Sequence, residues 1–345
     1  MKSLMFLQPG LPYCNSSGNR ITSHPLQIAA CNTKVSSKEN MNMKSLTRML
    51  AGLCAFTAIA CNSTSEVTGN IDVYEDFQSK FVAPRTVRVW TPADYNPQTV
   101  YDVIYMHDGQ NLFDASITWN GQEWGVDETL TGLMKEELIR PCIVVGIDCG
   151  SLRYEEYYPS AICAAIPEGV LPEGFTPLGD EYLKFVVEEV KPFIDSTYST
   201  WGDAEHTFVS GSSCGGLISS YALCEYPDVF SGAACLSTHS NLWNPHTDAD
   251  QTPAADAYRE YLRMNLPADA SHRLYMDCGD MTIDAGYDKT QEAINEMISS
   301  LDWKHEDGSD AYMYKFFPGH AHTETDWNAR FEIPVLYLLG LKSQM

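Results

Sequence analysis

Positive charge is what this 345-residue chain has least of: 22 Lys and Arg stand against 46 Asp and Glu, for a formal net charge of −24. Residues 1–60 hold six of those basic side chains (Lys2, Arg20, Lys34, Lys38, Lys44 and Arg48) and a single acid, Glu39, so the acidic excess belongs to the rest of the chain. Such a body repels phosphate backbones and anionic membrane surfaces. Nucleic acid is therefore excluded as an expected partner, and the charge reads as a source of solubility. Low-complexity tracts, internal repeats and linkers long enough to divide the body are also missing. The 11 cysteines follow no zinc spacing, and the seven beyond residue 61 (Cys142, Cys149, Cys163, Cys214, Cys224, Cys235, Cys278) are an odd number that cannot all pair internally. They read as buried thiols in apolar runs, with no disulfide and no metal expected. What is present is 44% hydrophobic content over a length that allows a large core and one or two domains.

The N-terminal region lacks an apolar run long enough to cross a bilayer. After Met43 come Lys44 and Arg48, then Met49–Ala60, then Cys61-Asn-Ser-Thr-Ser. An apolar stretch of roughly 12 residues is short of the ~20 that a spanning helix needs. A basic start, a short apolar run and small residues at its end match a secretory signal. Ala58-Ile59-Ala60-Cys61 also resembles a bacterial lipobox, which makes Cys61 the candidate lipidated residue and the periplasm or cell surface the expected location. The expected organisation is a targeting segment over 1–60 (with 1–42 as an upstream extension), a linker over 61–79 and one catalytic domain over 80–342.

Within that domain strand-like and helix-like segments alternate. Arg85–Trp90 alternates polar and apolar side chains, as an antiparallel strand near a sheet edge does. Val103–Met106 is a short apolar run, and Ile143–Ile147 is a continuous apolar run of the kind buried on both faces. Thr207–Ser210, Ala233–Leu236, Leu274–Met276 and Met313–Phe317 are further strand candidates. Helices are expected at Glu181–Ile194, Leu217–Cys224, Ala254–Met264, Lys289–Leu301 and Trp327–Leu339. This order predicts an α/β fold whose mostly parallel central sheet is covered by helices on both faces. Ser160–Leu178, rich in Pro and Gly, reads as an excursion over the sheet where substrate contacts can sit.

Between a strand and a helix candidate stands Ser210-Gly-Ser-Ser-Cys-Gly-Gly216, and within it Gly211-x-Ser213-x-Gly215. A serine nucleophile needs a turn so tight that its Oγ stands clear, and glycines two residues either side keep strand and helix from colliding. The following helix then points its N-terminus at the site, where backbone N–H groups can meet an oxyanion. A phosphate-cradling loop would need a Lys at an offset where none occurs.

The sequence resembles the putative esterase family of α/β-hydrolases, which includes esterase D, feruloyl and acetyl-xylan esterases, enterochelin esterases and mycolyl transferases. The resemblance rests on Arg85–Trp90 followed by Thr91-Pro-Ala-Asp-Tyr, Tyr105-Met-His-Asp-Gly-Gln-Asn-Leu-Phe-Asp114, Glu123-Trp-Gly-Val-Asp127, Gly211–Leu217 and Tyr226-Pro-Asp-Val-Phe-Ser-Gly232. It spans roughly residues 80–340. Cys214 departs from the Met that relatives commonly carry after the nucleophile. A residue contributing its backbone N–H tolerates that change.

In this fold the base and acid follow the serine in the order Ser, acid, His. Gly319-His-Ala-His-Thr-Glu-Thr-Asp-Trp327 is similar to the family's pattern of Gly, two residues, His, then Glu and Trp, a register that selects His322 over His320 as base. The acid is expected after Leu274–Met276, where Asp277, Asp280 and Asp284 all lie in reach. Relatives imply Asp284, with Asp280 as the alternative. The oxyanion hole is expected from the backbone N–H groups of Cys214 and of Gln110, in the loop after Val103–Met106. His107 and Asp108 have no third ligand at useful spacing and read as structural. Trp243 is the candidate wall of an acyl pocket. The resemblance implies a serine esterase needing no cofactor, and together with the export signal it makes an exported esterase of acylated carbohydrate the expected function. A siderophore esterase, an acyltransferase and a non-catalytic glycan-binding surface lipoprotein are the alternatives.

Overall fold

Apolar runs that are buried at every position dictate the centre of the molecule. The computed structural model describes residues 67–242, 252–268, 271–305 and 307–341, all within one unit, 62–345. Eight strands form one sheet: β1 (Asn70–Phe77), β2 (Arg85–Thr91), β3 (Asp102–His107), β4 (Cys142–Ile147), β5 (Thr207–Ser212), β6 (Gly232–Leu236), β7 (Arg273–Gly279) and β8 (Tyr312–Phe317). Their spatial order is β1-β2-β4-β3-β5-β6-β7-β8. β1 and β2 run antiparallel to their neighbours and the other pairings are parallel. Side chains alternate across each strand, so Val103 and Tyr105 enter one core while Ile104 and Met106 enter the other. Helices Cys214–Glu225, Thr252–Asn265 and Asp288–Ser300 cover the first face. Val126–Lys135 and Glu332–Leu339 cover the second. The expected α/β fold with a mostly parallel, doubly covered sheet is borne out.

Three local expectations change. The stretch expected as a linker over 61–79 contains β1, paired with β2 from Asn70 opposite Thr91 to Phe77 opposite Arg85. Its composition hid it. Asp72, Val73, Glu75 and Asp76 are exposed on an edge strand, and it is held by Ile71, which packs on the second core, and by Tyr74 and Phe77, which pack edge-on against Phe193. The helix expected at Glu181–Ile194 is a continuous rod in three parts, Gly179–Lys184, a π-helical stretch Phe185–Val190, and Lys191–Thr197. Pro192, with no N–H to return to Glu188, follows the widened turn. The helix expected at Trp327–Leu339 is two helices, Glu324–Asn328 and Glu332–Leu339. Pro334 leaves the Arg330 carbonyl without its i+4 donor, and the N–H of Ile333 takes it instead at 3.1 Å. Arg330 lies in the turn between the two helices, and its side chain is buried.

Position along the sheet sets where chemistry can occur. The chain leaves β3 toward β4 on one side and reaches β5 on the other, so strand order reverses between β3 and β5. In open α/β sheets ligands bind outside the carboxyl ends of the strands at such a reversal. The loops after β3 and β5 carry Gln110 and Ser213.

Asp127 makes stability depend on pH. It lies buried in the first turn of Val126–Lys135; Oδ2 accepts the Thr68 N–H at 2.6 Å and Oδ1 has no partner. Burial raises its carboxyl from the ordinary range to about 7. The folded state therefore keeps the proton where the unfolded chain has lost it, so this group's contribution to stability falls as pH rises from about 4 to about 7 and is level above that. Asp127→Asn retains an acceptor for Thr68. It is expected to raise Tm near pH 8, by about 2–4 °C for each kcal/mol relieved, with the difference closing near pH 4. Equal thermal unfolding of the two proteins near pH 8 would contradict the assignment.

Candidate active site

The turn between β5 and Cys214–Glu225 is built around Ser213, whose backbone sits at φ 58 and ψ −125. Such a conformation is costly for a residue with a side chain and persists only where the surroundings over-determine it. Here the Ser213 N–H donates to the Leu236 carbonyl, and the Ser213 carbonyl accepts from the N–H groups of Leu217 and His239, all at 3.0–3.1 Å. Space demands glycine at 211 and leaves little room at 215. A Cβ at Gly211 would lie 2.8 Å from the Gly215 carbonyl carbon, and one at Gly215 would lie 3.3 Å from His107 Cβ. The first turn of the helix therefore abuts the loop after β3. Cys214, the first helical residue, carries one of the N–H groups that a helix N-terminus leaves without an internal acceptor.

The loop after β3 turns sharply at Asp108, which has φ 57, and Gly109 packs so closely on Gly146 that a Cβ would stand 2.5 Å from its carbonyl carbon. Gln110 is pinned by its side chain: Oε1 accepts the Cys149 N–H at 3.0 Å and Nε2 approaches Cys149 Sγ at 3.2 Å. The Asp108 carboxylate takes a two-pronged ion pair from Arg153 at 2.6 and 2.7 Å. His107 is buried with Nδ1 2.7 Å from the Tyr182 hydroxyl, and burial lowers its pKa to about 4, so it is neutral at physiological pH. These contacts are structural in character. Among the described residues no group of three or more His, Cys, Asp or Glu could hold a metal ion.

His322 stands in the turn between β8 and Glu324–Asn328, its N–H on Thr282 Oγ1 at 2.9 Å. Its ring is clamped edge-to-face by Trp327, with centroids 5.0 Å apart, and by Tyr287 at 5.9 Å. Nδ1 meets Asp284 Oδ1 at 2.6 Å, which leaves Nε2 as the ring atom that can take a proton. Asp284 is fully buried. Burial pushes its carboxyl up, but the hydrogen bond and charge of His322, with donors from Ser237 and Gly279, outweigh it and hold the group below the ordinary value. Asp280 faces elsewhere, exposed, with Oδ1 on the Gly319 N–H at 2.6 Å. Asp277 is buried against Arg330 at 2.9 Å. His320 packs on Phe317 and lends its carbonyl to the Asp280 and Met281 N–H groups.

The structure thus brings His322 and Asp284 into contact and sets Ser213, Cys214 and the Gln110 loop at the same end of the sheet. No hydrogen bond directly joins Ser213 and His322 among the described contacts, and bonds between reacting groups often tighten only in the complex with substrate. Trp243 and Cys61 lie outside the described residues.

Sequence reasoning missed the polar groups behind and beside this pair. Ser237 donates to Asp284, and Arg330 and Trp327 donate to Ser237 in turn. His239 bridges the Tyr287 hydroxyl at 2.9 Å and the Tyr158 hydroxyl at 3.1 Å. The one available signal was position, since Ser237-Thr-His-Ser240 follows β6 as the serine motif follows β5.

A family model described as putative esterase matches residues 79–337. Among curated proteins, an uncharacterized protein, YbbA of Bacillus subtilis (strain 168), is 24% identical over 157 residues, covering 44% of this chain and 56% of that protein. The chain spans about half the length of that curated relative. Among solved structures, an IroE-like serine hydrolase from Shewanella oneidensis aligns with a TM-score of 0.59 at 20% identity, covering 78% of this chain and 80% of that one. The BES protein from Bacillus cereus aligns with a TM-score of 0.58 at 19% identity over 80% and 97%. A ferulic acid esterase aligns with a TM-score of 0.57 at 16% identity over 79% and 98%. At these identities the likeness is one of fold.

Proposed function

The chain belongs to the putative esterase family, and from that membership we propose that it is an exported serine hydrolase of carboxylic esters that works through an acyl-enzyme. The supporting observation is the 2.6 Å contact between Asp284 and His322 at the sheet end that also presents Ser213 on its strained turn. In this reading His322 Nε2 takes the Ser213 proton as Oγ attacks the ester carbonyl. Asp284 holds Nδ1–H and balances the imidazolium that forms. The N–H groups of Cys214 and Gln110 receive the developing oxyanion. The imidazolium returns its proton to the departing alcohol, leaving an acyl-Ser213 ester. Water, deprotonated by His322, then attacks that ester, and as the acyl–Oγ bond breaks the imidazolium returns the proton to Ser213 and the acid is released.

The proposed substrate class is acylated carbohydrate, as feruloyl or acetyl esters. Two features support it: the signal-like segment ahead of Cys61 and the ferulic acid esterase among the structural neighbours. The test is a panel of p-nitrophenyl acetate, methyl ferulate, acetylated xylan and a cyclic catecholate ester. Turnover of the cyclic ester alone would redirect the reading to a siderophore, and transfer of the acyl group to an added alcohol in place of water would make it an acyltransferase. No turnover of any ester would leave only a glycan-binding role. Export and a lipid anchor at Cys61 are part of the proposal. Wild-type protein recovered from the soluble fraction with residues 1–60 still attached would refute both.

A further inference from the structure

Ser237 takes no part in the reaction above, yet it stands at the centre of the buried polar cluster behind His322. It is fully buried and held at φ 42. A serine hydroxyl has one proton to donate and two lone pairs with which to accept. Two groups that can only donate point at that oxygen: Nη2 of Arg330 at 2.7 Å and Nε1 of Trp327 at 3.0 Å. The hydroxyl proton is left for Oδ2 of Asp284, 2.6 Å away. Oδ2 also accepts the Gly279 N–H at 2.7 Å, so Oδ1 is the oxygen turned to His322 Nδ1.

Hydrogen-bond polarity along this chain can run only one way. It starts at donor-only Arg330 and Trp327, passes through Ser237 to the carboxylate, and requires the proton of neutral His322 to sit on Nδ1. Nε2 is then bare and able to act as a base. The cluster is also locked from the other side. The Ser237 N–H donates to Asp277 at 3.0 Å, and Arg330 grips the same carboxylate at 2.9 and 3.2 Å. Two buried carboxylates and one guanidinium leave one negative charge, which His322 balances when it becomes protonated.

We propose that Ser237, oriented by Arg330 and Trp327, is a positioning residue that fixes the Asp284 carboxylate and, through it, the His322 tautomer that deprotonates Ser213. The inference rests on the Ser213–His322–Asp284 reading given above. Ser237→Gly tests it cleanly, because glycine adopts a positive φ without strain and only the hydroxymethyl group is lost. On p-nitrophenyl acetate the variant is expected to lose roughly ten- to a hundredfold in kcat, the range usual for outer partners of active-site ligands. KM is expected to stay within about twofold, as for an interaction made only in the transition state. Made on top of Asp284→Asn, the same substitution is expected to cost less than about threefold, since residues acting through one another are not additive.

Equal losses in the two backgrounds would mean that Ser237 is merely structural, and wild-type kcat in the single variant would likewise overturn the proposal. If circular dichroism shows Ser237→Gly unfolded, Trp327→Phe removes one of the two orienting donors while keeping an aromatic ring. It must then show the same non-additivity with a smaller loss, and additive losses would again overturn the idea. Wild-type activity in Asp284→Asn is a separate result, one that sinks the triad reading itself.

Discussion

Ser213→Ala is expected to lower turnover of an activated ester by about 10³ or more while leaving the fold intact. Acyl transfer through a serine splits one difficult substitution into two easier ones, and without Oγ neither half can proceed. What remains is the contribution of the oxyanion donors and of binding, which in serine hydrolases still exceeds the rate in water. The substitution removes one oxygen from a half-buried side chain and leaves the Cβ, so the strain at φ 58 is the same in both proteins. The backbone bonds of residue 213 to Leu236, Leu217 and His239 do not involve the side chain. Thermal unfolding of the variant should therefore match wild type closely, and circular dichroism before kinetics separates lost chemistry from lost structure. Retention of even a tenth of the wild-type rate would show that another residue is the nucleophile.

Asp284→Asn is expected to cost on the order of 10⁴ in kcat, and Asp280→Asn less than about tenfold. The reason lies in what surrounds each carboxylate. Asp284 accepts three hydrogen bonds, from Ser237, Gly279 and His322. An asparagine there has one oxygen and one donating NH₂. If the oxygen faces His322, the NH₂ points at the Ser237 hydroxyl and the Gly279 N–H, donor against donors. If the NH₂ faces His322, Nδ1 must become the acceptor and Nε2 carries the proton, which is the wrong tautomer for a base. Asp280 accepts only the Gly319 N–H across an exposed turn, a contact an amide oxygen can keep. Because the Asp284 carboxyl is held below its ordinary value, it contributes stability above the unfolded-state pKa, and that contribution disappears as pH falls through the folded-state value. Both variants are accordingly compared near neutral pH, with their folding checked first. The reverse ranking would move the acid to Asp280 and leave the rest of the mechanism standing. Mild losses in both would place the orienting group elsewhere.

The residues that were legible and those that were not divide along a physical line. The strands β3 to β7 announce themselves because helices cover both faces of the sheet and every position must be apolar or paired; Cys142–Ile147 shows this at each residue. The edge strand β1 did not, since Asp72, Glu75 and Asp76 satisfy the solvent as well in a strand as in a linker. Glycines 211 and 215 could be read from sequence because their requirement is local, set by atoms within four residues and one adjoining loop. For the acid, spacing alone left three aspartates open, and only the family pattern favoured Asp284. Two of the three turned out to be occupied elsewhere, Asp277 by Arg330 and Asp280 by Gly319.

By itself, then, the sequence determined the doubly covered α/β sheet, the family, and the strand–turn–helix that presents Ser213. The sheet and the turn depend on periodicity and on steric limits between near neighbours in the chain, and the family on the resemblance of its motifs. Tertiary structure alone decided which partners meet behind His322. The bonds from Ser237 to Asp284 and from Arg330 to Ser237 span 47 and 93 residues. They exist because Arg330, in the turn between the last two helices, lies buried beside Ser237 and Asp277, and because burial obliges the charged and polar groups of the cluster to find partners, Arg330 Nη1 excepted. No local pattern records such an obligation. It arises only when the sheet has closed water out of that space.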